Sequence, residues 1–287
     1  MKETILVTGA TGFLGSHLVH ALVSADYQVV ALRRDSSDCW RISDVVDKIK
    51  FYYINEIERA FIEQHIDVVI HTACCYGRKN EGLEQVIQTN LVFGMKLLDC
   101  SKTSGVDAFF NTGTCLPNSL NAYSLSKSQF LDWLKLYSNK FTCVNLKPEH
   151  MYGKKDDVSK FVPWFIEQLK NNAPEIRLTK GVQMRDFIYV SDVVAAFILL
   201  LKKRKALASF SEFYIGTGDL ISVYDFVNKL HKQYVLKNPA NKSVLNFGAV
   251  PLRDGELMTV NEDVSLLKSF GWEPLVSLEE GIQLVLE

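Results

Sequence analysis

Short apolar runs separated by polar turns recur through the first half of the chain: Ile5-Leu6-Val7, Val29-Val30-Ala31-Leu32, Phe51-Tyr52-Tyr53, Val68-Val69-Ile70, Ala108-Phe109-Phe110 and Cys143-Val144-Asn145-Leu146. Continuous runs of this kind predict strands covered on both faces. Between them apolar residues fall at helical spacing, as in Leu14-Leu18-Leu22 and Leu91-Met95-Leu98. Strand and helix alternating at this rhythm imply an α/β fold built on a doubly wound parallel sheet.

Beyond residue 151 the predicted elements shorten: a helix over Phe161–Leu169, a strand near Glu175–Leu178 and a helix over Asp192–Leu201. Phe213-Tyr214-Ile215 and Val223–Leu230 read as a strand and a helix that suit either lobe, so the chain is expected to cross between lobes more than once. The expected division is a first domain over residues 1–152, to which segments around 181–220 return, and a smaller C-terminal α/β lobe over 153–287. No internal repeat, low-complexity tract or long linker interrupts this pattern.

Composition narrows the classes further. Lysine and arginine (32) balance aspartate and glutamate (33), which leaves no bulk field to attract nucleic acid or an acidic membrane. Met1-Lys2-Glu3 leads straight into a strand without a signal-like region, and no apolar run is long enough to span a bilayer. The cytoplasm is the expected compartment, with Cys39, Cys74, Cys75, Cys100, Cys115 and Cys143 as reduced thiols. Their spacing matches no zinc site, so they read as small core residues and no metal is expected.

The first strand runs into Gly9-Ala10-Thr11-Gly12-Phe13-Leu14-Gly15, and Ser16–Val23 continues with the spacing of an amphipathic helix. Glycines at a strand-to-helix turn allow backbone N–H groups to approach a pyrophosphate, and the helix N-terminus turns its positive end toward that charge. This context predicts a dinucleotide site on a Rossmann-type sheet. The second strand ends in Leu32-Arg33-Arg34 in place of the acidic residue that accepts hydrogen bonds from a ribose, and two guanidiniums suit a 2′-phosphate. NADPH is the expected cofactor, with Asp35 as the alternative ribose contact.

Tyr123 and Lys127 stand four positions apart, one helical turn above each other. A cation there is expected to pull the phenol down from about 10, making it a proton donor to a carbonyl that receives hydride. Just before that helix, Asn111-Thr112-Gly113-Thr114 ends a strand in hydroxyls that could bond the same oxygen.

Together these residues resemble the extended short-chain dehydrogenase/reductase family, in its nucleotide-sugar branch. The resemblance spans nearly the whole chain. Besides the glycine turn it rests on His71-Thr72-Ala73, Asn90, the set Thr114, Tyr123 and Lys127, Tyr152-Gly153, and Arg185-Asp186-Phe187-Ile188-Tyr189-Val190-Ser191-Asp192. Within the branch, Cys75-Tyr76-Gly77-Arg78-Lys79-Asn80-Glu81, Gly113-Thr114-Cys115-Leu116-Pro117 and Leu146-Lys147-Pro148-Glu149-His150-Met151-Tyr152-Gly153 are most similar to the CDP-paratose and CDP-abequose synthases, which reduce the C4 ketone of a CDP-linked 3,6-dideoxyhexulose for O-antigen synthesis.

The resemblance implies roles. Tyr123 protonates the C4 oxygen, Lys127 lowers its pKa and holds the nicotinamide ribose, and Thr114 orients the carbonyl. NADPH contacts are implied for Gly9, Thr11, Gly12, Phe13, Leu14, Gly15, Arg33, Arg34, Asn55, Glu56, Ile57, Thr72, Ala73, Cys74, Asn90, Thr112, Tyr123, Lys127, Pro148 and His150. Nucleotide-sugar contacts are implied for Cys75, Tyr76, Arg78, Thr114, Glu149, His150, Arg185 and Arg253, the two last suiting the anionic diphosphate. A homodimer through the helices at Leu91–Thr103 and Tyr123–Tyr137 is likewise implied. Cys115 and Leu116 stand where a dehydratase would carry an acidic pair, which argues against dehydration. A 4-epimerase would use the same threonine, tyrosine and lysine, and a non-catalytic NADPH-binding regulator would share the fold.

Overall fold

The computed structural model describes residues 2–78, 80–253, 255–260 and 262–287; Lys79 and Asp254, neighbours of two expected contacts, lie outside the described residues. In chain order the elements are β1 (Thr4–Thr8), α1 (Phe13–Ser24), β2 (Gln28–Arg33), β3 (Ile49–Tyr53), α2 (Ile57–Glu63), β4 (Val68–His71), α3 (Leu83–Ile87) and α4 (Phe93–Ser104). There follow β5 (Ala108–Thr112), α5 (Ala122–Tyr137), β6 (Thr142–Pro148), β7 (His150–Tyr152), α6 (Phe161–Lys170), β8 (Glu175–Leu178), β9 (Met184–Arg185), β10 (Phe187–Tyr189) and α7 (Val190–Lys203). The chain closes with β11 (Phe210–Ile215), β12 (Ile221–Ser222), α8 (Val223–Lys237), β13 (Val244–Phe247), α9 (Ser265–Ser269) and α10 (Leu278–Val285). No helix among the described residues is long and apolar enough to cross a membrane.

Seven strands form one sheet in the order β11-β6-β5-β4-β1-β2-β3, every pairing parallel. The strand order reverses between β1 and β4, and ligands of open α/β sheets bind outside the carboxyl ends of the strands at such a point. β1 and β4 are buried along their full length, including the polar Thr4, Thr8 and His71 at their ends, and their apolar cores Ile5–Val7 and Val68–Ile70 suit a strand covered on both faces. On one face Leu6, Val30, Val69, Phe109 and Cys143 meet Leu97, Leu98, Phe130 and Leu134 from α4 and α5. Gly94 permits that packing, because a Cβ there would stand 2.5 Å from the Phe130 ring.

Internal contacts divide the chain into two units, residues 1–148 with 194–215, and 149–193 with 216–287. The strand over Phe213–Ile215, which suited either lobe on sequence, joins the seven-stranded sheet beside β6, whereas the helix over Val223–Leu230 lies in the second unit. The segment returning to the first unit therefore covers 194–215, narrower than the 181–220 expected from sequence. Taken by itself, the second unit contains the parallel pairs β7–β10 and β8–β13 and the antiparallel pair β9–β12. Its core stacks Phe187 on Phe226 at 3.8 Å with the Tyr152 ring edge-on to both.

Candidate active site

The turn between β1 and α1 is built from glycines for steric reasons. Gly9 has φ +68°, and a Cβ on it would fall 2.7 Å from the Ala73 nitrogen and the Thr72 hydroxyl, so the turn can press against the end of β4 only without a side chain. A Cβ on Gly15 would sit 2.0 Å from the Gly9 carbonyl oxygen, which is how closely α1 approaches its own entry turn. Gly12 caps α1 with no side-chain hydrogen bond, and the first turn holds no acidic residue. The first-turn N–H groups and the helix dipole thus remain for an anion. This cradle fits a dinucleotide pyrophosphate.

At the carboxyl end of β2, a pocket of about 300 Å³ is lined by Arg33, Arg34, Asp35, Ser36, Tyr53, Ile54 and Asn55. The Arg33 guanidinium lies 5.0 Å from the centre of Phe51 and 5.5 Å from that of Tyr53, and it donates to the Cys39 sulfur at 3.6 Å. Arg34 is exposed. One guanidinium is held by aromatic rings and the other is open to solvent, and both border a space that suits a phosphate.

His71 ends β4 and is fully buried, its Nδ1 2.7 Å from the Thr8 hydroxyl and its ring packed among Phe93, Phe109 and Phe130. Burial, reinforced by the Lys127 ammonium, holds the imidazole down at about 3. In the unfolded chain it titrates near 6.5, so between these values the unfolded state binds the extra proton. The associated stability is complete above pH 6.5 and is lost on acidification, by about 2 kcal/mol at pH 5. Urea unfolding at pH 5.0 and 7.5 should show that dependence weakened by a comparable amount in His71→Gln; an unchanged dependence would assign it to other groups.

α5 starts with a capping box in which Asn121 Oδ1 accepts from the Ser124 N–H at 2.9 Å and the Ser124 hydroxyl accepts from the Asn121 N–H at 3.2 Å. Tyr123 therefore stands in the first turn, at the positive end of the helix, with Lys127 buried one turn below. The Thr114 hydroxyl, which accepts from the Leu116 N–H at 3.2 Å, lies close enough to Tyr123 to act on its phenol. Burial pushes the phenol well above its ordinary range and the neighbouring Cys74 thiol adds to the rise, against a downward pull from Thr114 and Arg78. This reverses the direction expected from a neighbouring cation, because removing the phenolate from water outweighs the pull of Thr114 and Arg78. The same burial pulls the Lys127 ammonium below its ordinary value.

Tyr76 and Arg78 come to the same place. The Tyr76 and Tyr123 ring centres lie 4.9 Å apart, and the Arg78 guanidinium lies 5.4 Å from the centre of the Tyr76 ring. Asn90 is fully buried in a single π turn over residues 88–92. Its Oδ1 accepts from Cys75 N at 2.7 Å, and its Nδ2 donates to Cys75 O at 2.8 Å and to the Ser126 hydroxyl at 3.0 Å. Those three bonds use its two donors and an acceptor lone pair, so Asn90 ties the β4 extension to α5 rather than presenting its amide to a ligand.

A model of the NAD dependent epimerase/dehydratase family matches residues 5–216. The chain belongs to this family. Over its full length it is 32% identical to a CDP-abequose synthase of Salmonella typhimurium, covering 98% of that protein. It superposes on the UDP-glucose 4-epimerase of Thermotoga maritima, solved with UDP-glucose, with a TM-score of 0.84 and 25% identity, covering 99% of this chain and 97% of that one. The UDP-glucose 4-epimerase of Thermus thermophilus, in complex with NAD, shares the fold at a TM-score of 0.82 and 24% identity over 99% and 97% of the two chains.

Not every residue expected at the site of this epimerase/dehydratase chain reaches it. Of the three expected beside the cofactor after β3, Asn55 lines the pocket, but Glu56 accepts from the Tyr53 N–H and pairs with Arg59, and Ile57 is 2% exposed in the core. Local capping and burial claimed both. Thr72 donates to Thr8 O at 2.8 Å, and the Thr112 hydroxyl is buried at the end of β5. Cys75 is buried and its backbone is held by Asn90.

Four expected substrate contacts belong to the second unit. The Glu149 carboxylate is buried, and His150 Nδ1 lies 3.5 Å from it. Arg185 is buried and its guanidinium already pairs with Glu256 at 2.5 Å, whereas Arg253 is exposed. Asp186 accepts from the Thr217 hydroxyl at 2.7 Å and from the Gly218 N–H at 2.8 Å, which makes it a loop anchor. Sequence reasoning missed Arg41, which donates to the Thr11 carbonyl at 3.3 Å in the glycine turn, and Tyr53 in the pocket beside Arg33. An arginine in a polar turn gives no periodic signal; Tyr53 was read only as a strand residue.

Proposed function

We propose that this chain reduces the C4 ketone of a nucleotide-linked deoxyhexulose with NADPH, converting a CDP-4-keto-3,6-dideoxyhexose to CDP-paratose or CDP-abequose for surface polysaccharide. The observation that carries the reading is Tyr123 in the first turn of α5 with Lys127 buried one turn below and Thr114 beside the phenol, Thr114 being followed by Cys115 and Leu116 instead of acidic residues. Likeness to CDP-abequose synthase along the whole chain supports the substrate class.

Gly9, Gly12 and the first turn of α1 would hold the pyrophosphate, and Arg33 and Arg34 the 2′-phosphate. Bound NADPH supplies the hydride that adds to the C4 carbon. Tyr123 gives its phenolic proton to the C4 oxygen, and the raised phenol keeps that proton in place at neutral pH. Lys127 offsets the negative charge left on the tyrosine oxygen. The Thr114 oxygen accepts from the Leu116 N–H at 3.2 Å, which directs its own hydrogen toward the reacting oxygen. On the exposed side of α5, Leu125, Trp133 and Leu136 suit the self-association expected of that helix.

The test is to mix the protein with NADPH, or in parallel NADH, and an enzymatically generated CDP-4-keto-3,6-dideoxy sugar, following nicotinamide absorbance and product NMR. Stoichiometric NADPH consumption is expected; no consumption of either cofactor, with interconversion of C4 epimers of a UDP-sugar, would establish the epimerase instead. Replacing Arg33 and Arg34 together by alanine should lower kcat/KM for NADPH about 10²-fold while changing that for NADH less than about threefold. An equal loss for both cofactors would show that the arginines do not read the 2′-phosphate.

A further inference from the structure

A row of polar side chains crosses three adjacent strands beneath Thr114. Asn111 of β5 is in register with Asn145 of β6, Asn145 with Glu212 of β11, and Lys147 of β6 with Tyr214 of β11. Asn111 Nδ2 donates to Asn145 Oδ1 at 2.7 Å, Asn145 Nδ2 donates to Glu212 Oε2 at 2.7 Å, and Lys147 Nζ donates to Glu212 Oε1 at 2.8 Å. The Lys147 ammonium also lies 4.9 Å from the centre of the Tyr214 ring. Asn111 and Asn145 are fully buried, in strands whose neighbouring residues Phe109, Phe110, Val144 and Leu146 are apolar. Burying such groups costs free energy even when they are paired, and apolar residues of similar size would stabilise the sheet at least as well. The row needs a reason beyond stability.

Its position supplies one. Gly113, the residue before Thr114, rests on the row: a Cβ added there would lie 2.8 Å from Asn145 Oδ1 and 3.0 Å from Lys147 Cγ. The Gly113 N–H donates to Leu146 O at 2.6 Å, and the Cys115 thiol reaches Lys147 O at 3.6 Å. Thr114 is thus flanked by two contacts to β6, one from the Gly113 backbone and one from the Cys115 side chain. We infer that Asn145, braced by Glu212 and Lys147, is a positioning residue that fixes the backbone at Gly113 and, through it, the Thr114 hydroxyl. The inference rests on the reading above only in that Thr114 faces the reacting oxygen. A shift of about 1 Å at such a group costs up to 10²-fold in rate.

Asn145→Leu removes both amide bonds at nearly constant volume. Two measurements decide the matter. Without any substrate, amide hydrogen exchange at residues 113–116 should accelerate at least tenfold in Asn145→Leu while exchange in α1 stays as in the wild type. With substrate, kcat should fall about 10- to 100-fold with the KM for NADPH within about twofold, and the same substitution in a Thr114→Ala background should lower kcat by less than about twofold. An equal loss in both backgrounds, or unchanged exchange at 113–116, overturns the inference. Glu212→Gln keeps the shape and one acceptor, and should show the same pattern at lower amplitude where Asn145→Leu does not fold. If the wild-type protein reduces no nucleotide-linked ketone, the reading of Thr114 fails, and the exchange measurement still decides whether Asn145 sets this backbone.

Discussion

Tyr123→Phe is expected to lower kcat for ketone reduction by about 10²- to 10⁴-fold, the range for loss of a positioned general acid. The substitution deletes one oxygen and leaves the ring packed against Tyr76, where the two centroids are 4.9 Å apart, so the fold and the glycine cradle should be untouched. NADPH binding, followed by quenching of protein fluorescence, should stay within about threefold, because the phenol contributes one hydrogen bond among many. The pH profile adds a second criterion. Burial holds the phenol well above its ordinary range in the protein without ligand, so reduction should not decline with rising pH through the ordinary tyrosine range. Retention of more than a tenth of the wild-type kcat in Tyr123→Phe would move the proton donor elsewhere.

Gly15→Ala is expected to have the largest effect on the cofactor. The added Cβ would meet the Gly9 carbonyl oxygen at 2.0 Å and its carbon at 2.6 Å, both of them backbone atoms that no rotamer change can clear. Either α1 retreats from the turn or the turn opens, and each displaces the first-turn N–H groups from a pyrophosphate. We expect a destabilisation of about 1–3 kcal/mol or more and the loss of any rise in Tm on adding NADPH, a rise that saturating ligand should give the wild type. A normal NADPH-dependent rise in Gly15→Ala would place the dinucleotide elsewhere.

The first unit was largely legible in the sequence because its signals are local. Apolar runs of three or four residues mark β1 to β6, glycine spacing marks the turn before α1, and the interval between Tyr123 and Lys127 is one helical turn. What the sequence hid depends on register between distant segments. Asn111, Asn145 and Glu212 are separated by tens of residues, and each looks like an isolated polar interruption in an apolar strand until parallel pairing sets them side by side. Glu56 and Ile57 mislead for the opposite reason: they occupy the expected place along the chain, but a local cap and the core take them. The π turn around Asn90 was likewise invisible, since one extra residue in a helical segment leaves its apolar spacing almost unchanged.

The edge position of β11 has a consequence for biosynthesis. Residues 210–215 complete a sheet whose other six strands are finished by residue 148, so a nascent chain carries β6 as an open edge while some sixty further residues are made. An unpaired parallel edge can recruit a strand from another chain. During that interval Lys147 is a charge on the open strand with its partner Glu212 not yet synthesised, and a charge on an open strand disfavours pairing with another chain. A fragment ending at residue 148 would keep that edge permanently, and the first unit is therefore best expressed with the whole chain.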